Sequence, residues 1–183
     1  MVERLSTIII AAWLSELDSL KQRCDKAISQ LTDDQLHTRV HPRINPITVI
    51  MRHMAGSMMS RFTDFLTTDG EKPTRNRDDE FREFREPREQ GLQRWNQAWA
   101  LVRSAIISLA EDDLDRSVTI RAEHHSVPKA IERAISHYAY HTGQILMLAR
   151  LAAGDKWEWV TIAPGQSAAF NAEMNNQHQP PQT

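Results

Sequence analysis

Eight histidines and one cysteine stand in a chain of 183 residues. Imidazole is therefore the plentiful metal-binding side chain besides the carboxylates. A single thiol, Cys24, excludes both a disulfide framework and a zinc site built from several thiolates. Within ISHYAYHTGQILMLAR, His137 and His141 are four residues apart. On a helix that spacing puts both on one face, one turn apart, where two imidazoles can chelate one divalent ion. Ile131, Ala134, Ile145 and Leu148 surround the same stripe, so the pair points toward an interior or its mouth. Neutral imidazoles in a core each need a partner, and one shared ion serves both. The alternative for an isolated H-x-x-x-H is one buried, hydrogen-bonded histidine beside a solvated one.

His53 is the third candidate. It follows Ile50 by three residues and adjoins Met54, at the edge of an apolar stripe in mid-helix. If its helix faces the helix of His137 and His141, three neutral nitrogens can hold one ion and leave a position for water or substrate. Taken alone, His53 also fits a core-edge histidine. Gln144, three residues after His141, can hydrogen-bond a ligand or substrate. Other metal patterns are absent: the chain has neither H-E-x-x-H nor any E-x-x-H for a carboxylate di-metal site. His37 and His41 flank a turn and read as solvated. His124 and His125 fall in a turn before the last helix and read as surface residues, with a place at the mouth of the site as the alternative. His178 belongs to the tail. Cys24 lies on an apolar stripe and reads as a small core residue.

Four long helical patterns must position these side chains. The first covers residues 6–31, with Ile9, Trp13, Leu17, Leu20, Cys24 and Ala27 on its stripe and Ser6 or Thr7 as its cap. The second covers 46–66, with Asn45 as N-cap and Pro46 at the first helical position. The third covers 87–110; its Leu92, Trp95, Trp99, Val102, Ile106 and Leu109 make the cleanest stripe. The fourth follows Ser126, carries Pro128 in its first turn, and stops at Gly154. Residues 67–86 have no stripe and nearly cancelling charges. They read as a solvated connection with one short helix, pinned by Phe81 and Phe84. Residues 117–121 read as a short extended segment. This pattern predicts an all-α fold, a four-helix bundle forming a single domain over 1–170, with 171–183 as a disordered tail. The long connection between the second and third helices permits a topology other than simple up-down-up-down.

Composition bounds the function. Lys+Arg 22 against Asp+Glu 24 leaves a formal charge of −2, which argues against a basic coat for nucleic acid or anionic lipid. Six glycines are too few for a phosphate-cradling loop plus the turns of a large β fold. No stretch approaches the ~18–20 apolar residues of a membrane span. The apolar run near the start is followed at once by Glu16 and Asp18, without the flanks of a signal peptide. The expectation is a cytoplasmic protein with a small-molecule substrate and neither nucleic acid nor membrane as partner.

The mid-helix histidine followed late by S-H-Y-A-Y-H-T-G-Q-I resembles the DinB/YfiT-like superfamily of metal-dependent enzymes. The ending W-V-T-I-A-P-G-Q-S-A-A-F-N is similar to that of its DUF1572 branch. The resemblance runs from the first helix to Asn171. It implies a four-helix bundle in which His53, His137 and His141 bind a divalent metal, zinc or nickel, and a homodimeric assembly. Characterised relatives include transferases and isomerases that use the low-molecular-weight thiols of bacteria lacking glutathione. Two functions follow. One is a metal-dependent enzyme, a thiol transferase or hydrolase, whose metal activates a thiol or water. The other is a non-catalytic metal- or small-ligand-binding stress-response protein, which a fourth protein ligand would favour.

Overall fold

The computed structural model describes residues 4–177. Among them seven α-helices and one two-stranded sheet follow in the order α1 (Leu5–Ile28), α2 (Asp33–His37), α3 (Ile47–Phe62), α4 (Arg77–Glu80), α5 (Arg88–Ile107), β1 (Ser117–Ile120), β2 (Glu123–Ser126), α6 (Val127–Ala153) and α7 (Ser167–Gln177). The molecule is mostly helical, as the periodicity predicts.

The four long helices α1, α3, α5 and α6 pack as a ring. α1 lies against α5 and α6, and α3 lies against the same two, so α1 and α3 occupy opposite corners. The apolar stripes meet inside. Leu17, Cys24 and Ala27 of α1 are buried with Met54 and Met58 of α3, Trp95, Val102 and Ile106 of α5, and Ile131, Tyr138 and Ile145 of α6. A fully buried aliphatic side chain contributes ~1.5–3 kcal/mol, so these stripes dominate the stability. Trp95 keeps its polar end satisfied, with Nε1 donating to Asp25 Oδ1 at 2.9 Å. Met59, one residue off the stripe, is exposed.

Helix boundaries follow local chemistry. Ser126 caps α6 by accepting from the Lys129 N–H, Pro128 sits in its first turn, and Gly154 ends it with φ of 56°. Two expected caps are corrected. α3 starts from Pro46, whose carbonyl takes the Val49 and Ile50 N–H groups, so Asn45 lies outside the helix. α1 starts from Arg4 without a side-chain cap, and Ser6 is buried in its first turn. α3 ends four residues early because Asp64 takes a left-handed conformation, φ 48°. α2 follows a Thr32/Gln35 capping box.

The extended segment at 117–121 is one arm of an antiparallel hairpin, Ser117 opposite Ser126. His124 and His125 stand in β2, not in a turn; the turn is Arg121-Ala122, with φ of 55° and 61°. Two residues with a Cβ hold this glycine-like conformation because Asp69 accepts both of their N–H groups, each at 2.9 Å. The Gly70 N–H donates to Thr119 O at 2.7 Å, and Gly70 O accepts from Ser60 of α3. The hairpin is thus fastened to the end of α3. Residues 171–177, expected as an unstructured tail, belong to the exposed helix α7. The rest of that expected tail, with His178, lies outside the described residues. No helix among the described residues is long and apolar enough to cross a membrane.

Candidate metal centre

Adjacent packing of α3 and α6 brings His53, His137 and His141 together. His137 Nε2 lies 3.3 Å from His53 Nε2 and 3.1 Å from His141 Nε2. Tetrahedral zinc, with Zn–N of about 2.0–2.1 Å, sets its nitrogen ligands about 3.3–3.4 Å apart. His137 thus stands close to that separation from each of the other two, and the ligand atoms of all three lie within 4.8 Å of one another. His53 and His141 are buried and His137 is half-buried.

The outer nitrogens fix which atoms face inward. His53 Nδ1 donates to Glu80 Oε2 at 2.8 Å, and His141 Nδ1 donates to Gln144 Oε1 at 2.8 Å. In the neutral imidazole a proton on Nδ1 leaves a lone pair on Nε2. Two lone pairs therefore point at His137, whose Nε2 could carry one proton at most. One N–H cannot serve two acceptors well, whereas a cation serves all three nitrogens. Burial, with the neighbouring His141 and His53, pushes the His137 pKa down to about 3. Burial also lowers that of His141, against the pull of Gln144. Both imidazoles are neutral near pH 7, the form in which they bind metal.

Glu80 was not legible as a site residue, yet it is the best-anchored acid near the centre. It ends α4, a single helical turn in the stretch that reads as a solvated connection. Its Oε1 accepts from Arg75 Nε at 2.8 Å and its Oε2 from Arg75 Nη2 at 2.9 Å. Both side chains are buried, at 6% exposure for Arg75 and 9% for Glu80. Burial works to raise the Glu80 pKa, but the hydrogen bonds from His53 and Arg75 outweigh it and hold the carboxyl below its usual range. Arg52 ties the segment down from α3 by donating to the carbonyls of Asp79, Glu80 and Arg82, and it lies over the Phe84 ring at 3.7 Å. Phe81 packs on the His53 ring, centroids 4.6 Å apart. Both phenylalanines therefore pin the connection as expected.

The one trace of it in the sequence is a glycine, which marks a close approach without naming the partner. Gly56 lies one turn after His53 in mid-helix, where glycine is about 1 kcal/mol worse than alanine. A Cβ there would stand 2.1 Å from Glu80 Oε1 and 2.7 Å from Glu80 Cδ. The glycine makes room for the carboxylate that orients His53.

A cleft of ≈ 220 Å³ opens beside the histidines, with His53 and His137 in its wall together with Ser57 and Tyr138. Gln144 orients His141. His124 is exposed, and His125 hydrogen-bonds Arg133 Nη1 at 3.1 Å; neither joins the three-histidine cluster. His37 and His41 are likewise outside it. Cys24 is buried, hydrogen-bonded to Thr142 Oγ1 at 3.4 Å, and burial pushes its thiol up to about 11. It is a core residue.

No curated protein and no solved structure matches this chain. A family model described as "Protein of unknown function (DUF1572)" matches residues 5–166, a span that holds the three histidines, Glu80, Gln144 and the whole cleft, and the chain belongs to that family.

Proposed function

We propose that this protein is a metal-dependent enzyme of the DinB-like type acting on a small molecule, with His53, His137 and His141 as ligands of one divalent ion, zinc or nickel. The observation that carries the reading is the convergence of three Nε2 atoms, two of them held as lone-pair donors by Glu80 and Gln144. The ring of α1, α3, α5 and α6 is, on this reading, the four-helix bundle of that superfamily.

A bound divalent ion supplies Lewis acidity there, lowering the pKa of a water or a low-molecular-weight thiol and making it a nucleophile at neutral pH. The rest is the work of the chain. Glu80 fixes the tautomer and ring plane of His53 and raises its basicity, as carboxylates bonded to metal-binding histidines do. Gln144 does the same for His141 without adding charge. Phe81 covers the His53 ring and keeps water from that side. The cleft admits a small molecule to His53 and His137. The burial of Cys24 means that any sulfur taking part comes from a co-substrate.

The enzyme reading is favoured over a purely structural ion. Structural zinc takes four protein ligands, whereas the cluster found among the described residues has three, and it adjoins a cleft. The test is elemental analysis of purified wild type beside His137→Ala and His141→Ala. Stoichiometric metal in wild type and its loss in both variants are expected. Equal metal content in all three would refute the centre.

A further inference from the structure

The wall of the cleft is made unusually of arginine. Arg61, Arg75, Arg77, Arg121 and Arg133 all line it, and among the described residues no carboxylate does. They come from four places: α3, the connection with α4 at its end, the hairpin turn, and α6. The chain as a whole has a formal charge of −2, so this concentration is local.

Their neutralisation is incomplete. Glu71 alone faces three of them, at 3.4 Å from Arg61, 3.4 Å from Arg75 and 3.2 Å from Arg121. Glu80 is taken up by Arg75 and His53. Asp69, behind the hairpin turn, has its oxygens engaged by the N–H groups of Glu71, Arg121 and Ala122. Among the described residues Arg133 has only exposed Glu123 as a carboxylate neighbour, at 3.9 Å. Arg77 lies over the Phe81 ring at 5.0 Å and has no carboxylate within 4.0 Å among the described residues. Burial lowers the Arg61 pKa from its ordinary value, and the like charges of Arg75, Arg121 and Arg133 add to that against the pull of Glu71.

A second observation points the same way. Tyr138, next to His137 in the chain, lines the cleft, is fully buried, and its hydroxyl has no partner among the described residues. A buried hydroxyl without a partner calls for an explanation, and a ligand acceptor in the adjoining cleft would supply one. Guanidinium forks match the paired oxygens of phosphate and carboxylate; Arg61 and Arg75 are sheltered from solvent, while Arg77, Arg121 and Arg133 are exposed and free to close on a ligand.

We propose that the arginine-lined cleft binds the anionic group, phosphate or carboxylate, of the substrate, with Arg77 and Arg133 as its principal contacts and the rest of the molecule directed at the three histidines. This rests on the metal-enzyme reading and names the substrate class of that same site. The volume of ≈ 220 Å³ is below the ~300–1,000 Å³ of drug-sized ligand pockets, which fits a small anion-bearing metabolite rather than a polymer.

The test is calorimetric titration of the full chain, zinc-loaded and metal-free, with phenyl phosphate, benzoate and benzyl alcohol. At least one of the two anions should bind, and the neutral alcohol should not; the tighter anion identifies the group. An Arg77→Gln/Arg133→Gln double variant should weaken anion binding at least tenfold, since each lost charged hydrogen bond is worth about that factor or more. Its zinc content, measured separately, should equal that of wild type. Arg121→Gln offers an independent loss of charge if the double variant is unstable. No preference for either anion over benzyl alcohol, or unchanged affinity in the arginine variants, would overturn the proposal. Anion binding that vanishes with zinc but ignores the arginines would make the anion a simple metal ligand, overturning the proposal while leaving the metal centre intact. Failure of zinc uptake with anion binding retained would instead refute the metal reading and keep the arginine cleft.

Discussion

Replacing Gly56 by alanine sets two large effects against each other. In most helix interiors Gly→Ala stabilises by up to about 1 kcal/mol. Here the new Cβ would lie 2.1 Å from Glu80 Oε1, far inside contact distance. Glu80 cannot swing aside cheaply, because it is bonded to His53 at 2.8 Å and to both forks of Arg75. Displacing it breaks the buried bidentate pair and leaves Arg75 with only Glu71, at 3.4 Å, which costs most of the ~3–5 kcal/mol of losing a buried partner. Subtracting the propensity gain leaves a destabilisation of about 2–4 kcal/mol, or a Tm lowered by ~4–16 °C for a chain of this size. His53 also loses its orienting carboxylate, so zinc affinity should fall about 10–100-fold. Gly143→Ala is the internal control. It is also in a helix, but its Cβ would meet nothing within 4 Å, so it should stabilise by about 0.5–1 kcal/mol. Urea titrations of both variants and a zinc competition assay read these outcomes. If Gly56→Ala is as stable as Gly143→Ala, the packing of Glu80 against α3 is wrong, and its role toward His53 falls with it.

Glu80→Gln keeps the shape and removes the charge, so zinc affinity should drop about 10–100-fold with helical content unchanged by circular dichroism. Cys24, raised to about 11 by burial, should stay inert to a disulfide reagent at pH 8 in the native protein and react fully in denaturant. Asp69 is held at about 2 by three backbone N–H groups, below its ordinary 3.8. Its folded pKa is depressed, so the unfolded chain takes up the proton first. The contribution is therefore whole above about pH 4 and lost as pH falls through 2. Asp69→Asn should abolish that acid-dependent step in the hairpin amide signals by NMR.

The long helices were legible because burial imposes a period. The Trp95–Ile106 stripe, the start of α6 after Ser126 and the Gly154 stop all appear where the spacing and the Pro and Gly signals put them. The three histidines were legible for the same reason: polar residues on an apolar stripe need an explanation. The helix α7 carries no apolar stripe, so no period announced it. Glu80 and Arg75 were hidden because a buried ion pair between loop residues leaves no periodic trace. In a run of alternating charges, one glutamate looks like its neighbours. The arginine cleft was hidden too, since its members converge from distant segments while the total charge stays near zero.

The brevity of α4 has a consequence for how this protein would report its own occupancy. One helical turn has no independent stability, because nucleation of a helix costs more than a few hydrogen bonds return. Arg77–Glu80 is helical because Arg52 grips its carbonyls and Glu80 grips His53. Anything that tightens His53 from its Nε2 side tightens this turn through Nδ1. Amide exchange across residues 77–82 should therefore slow on zinc addition, and a protease that cuts there should be held off. The charged connection would then act as a built-in gauge of the metal centre, legible from the backbone without any knowledge of the substrate.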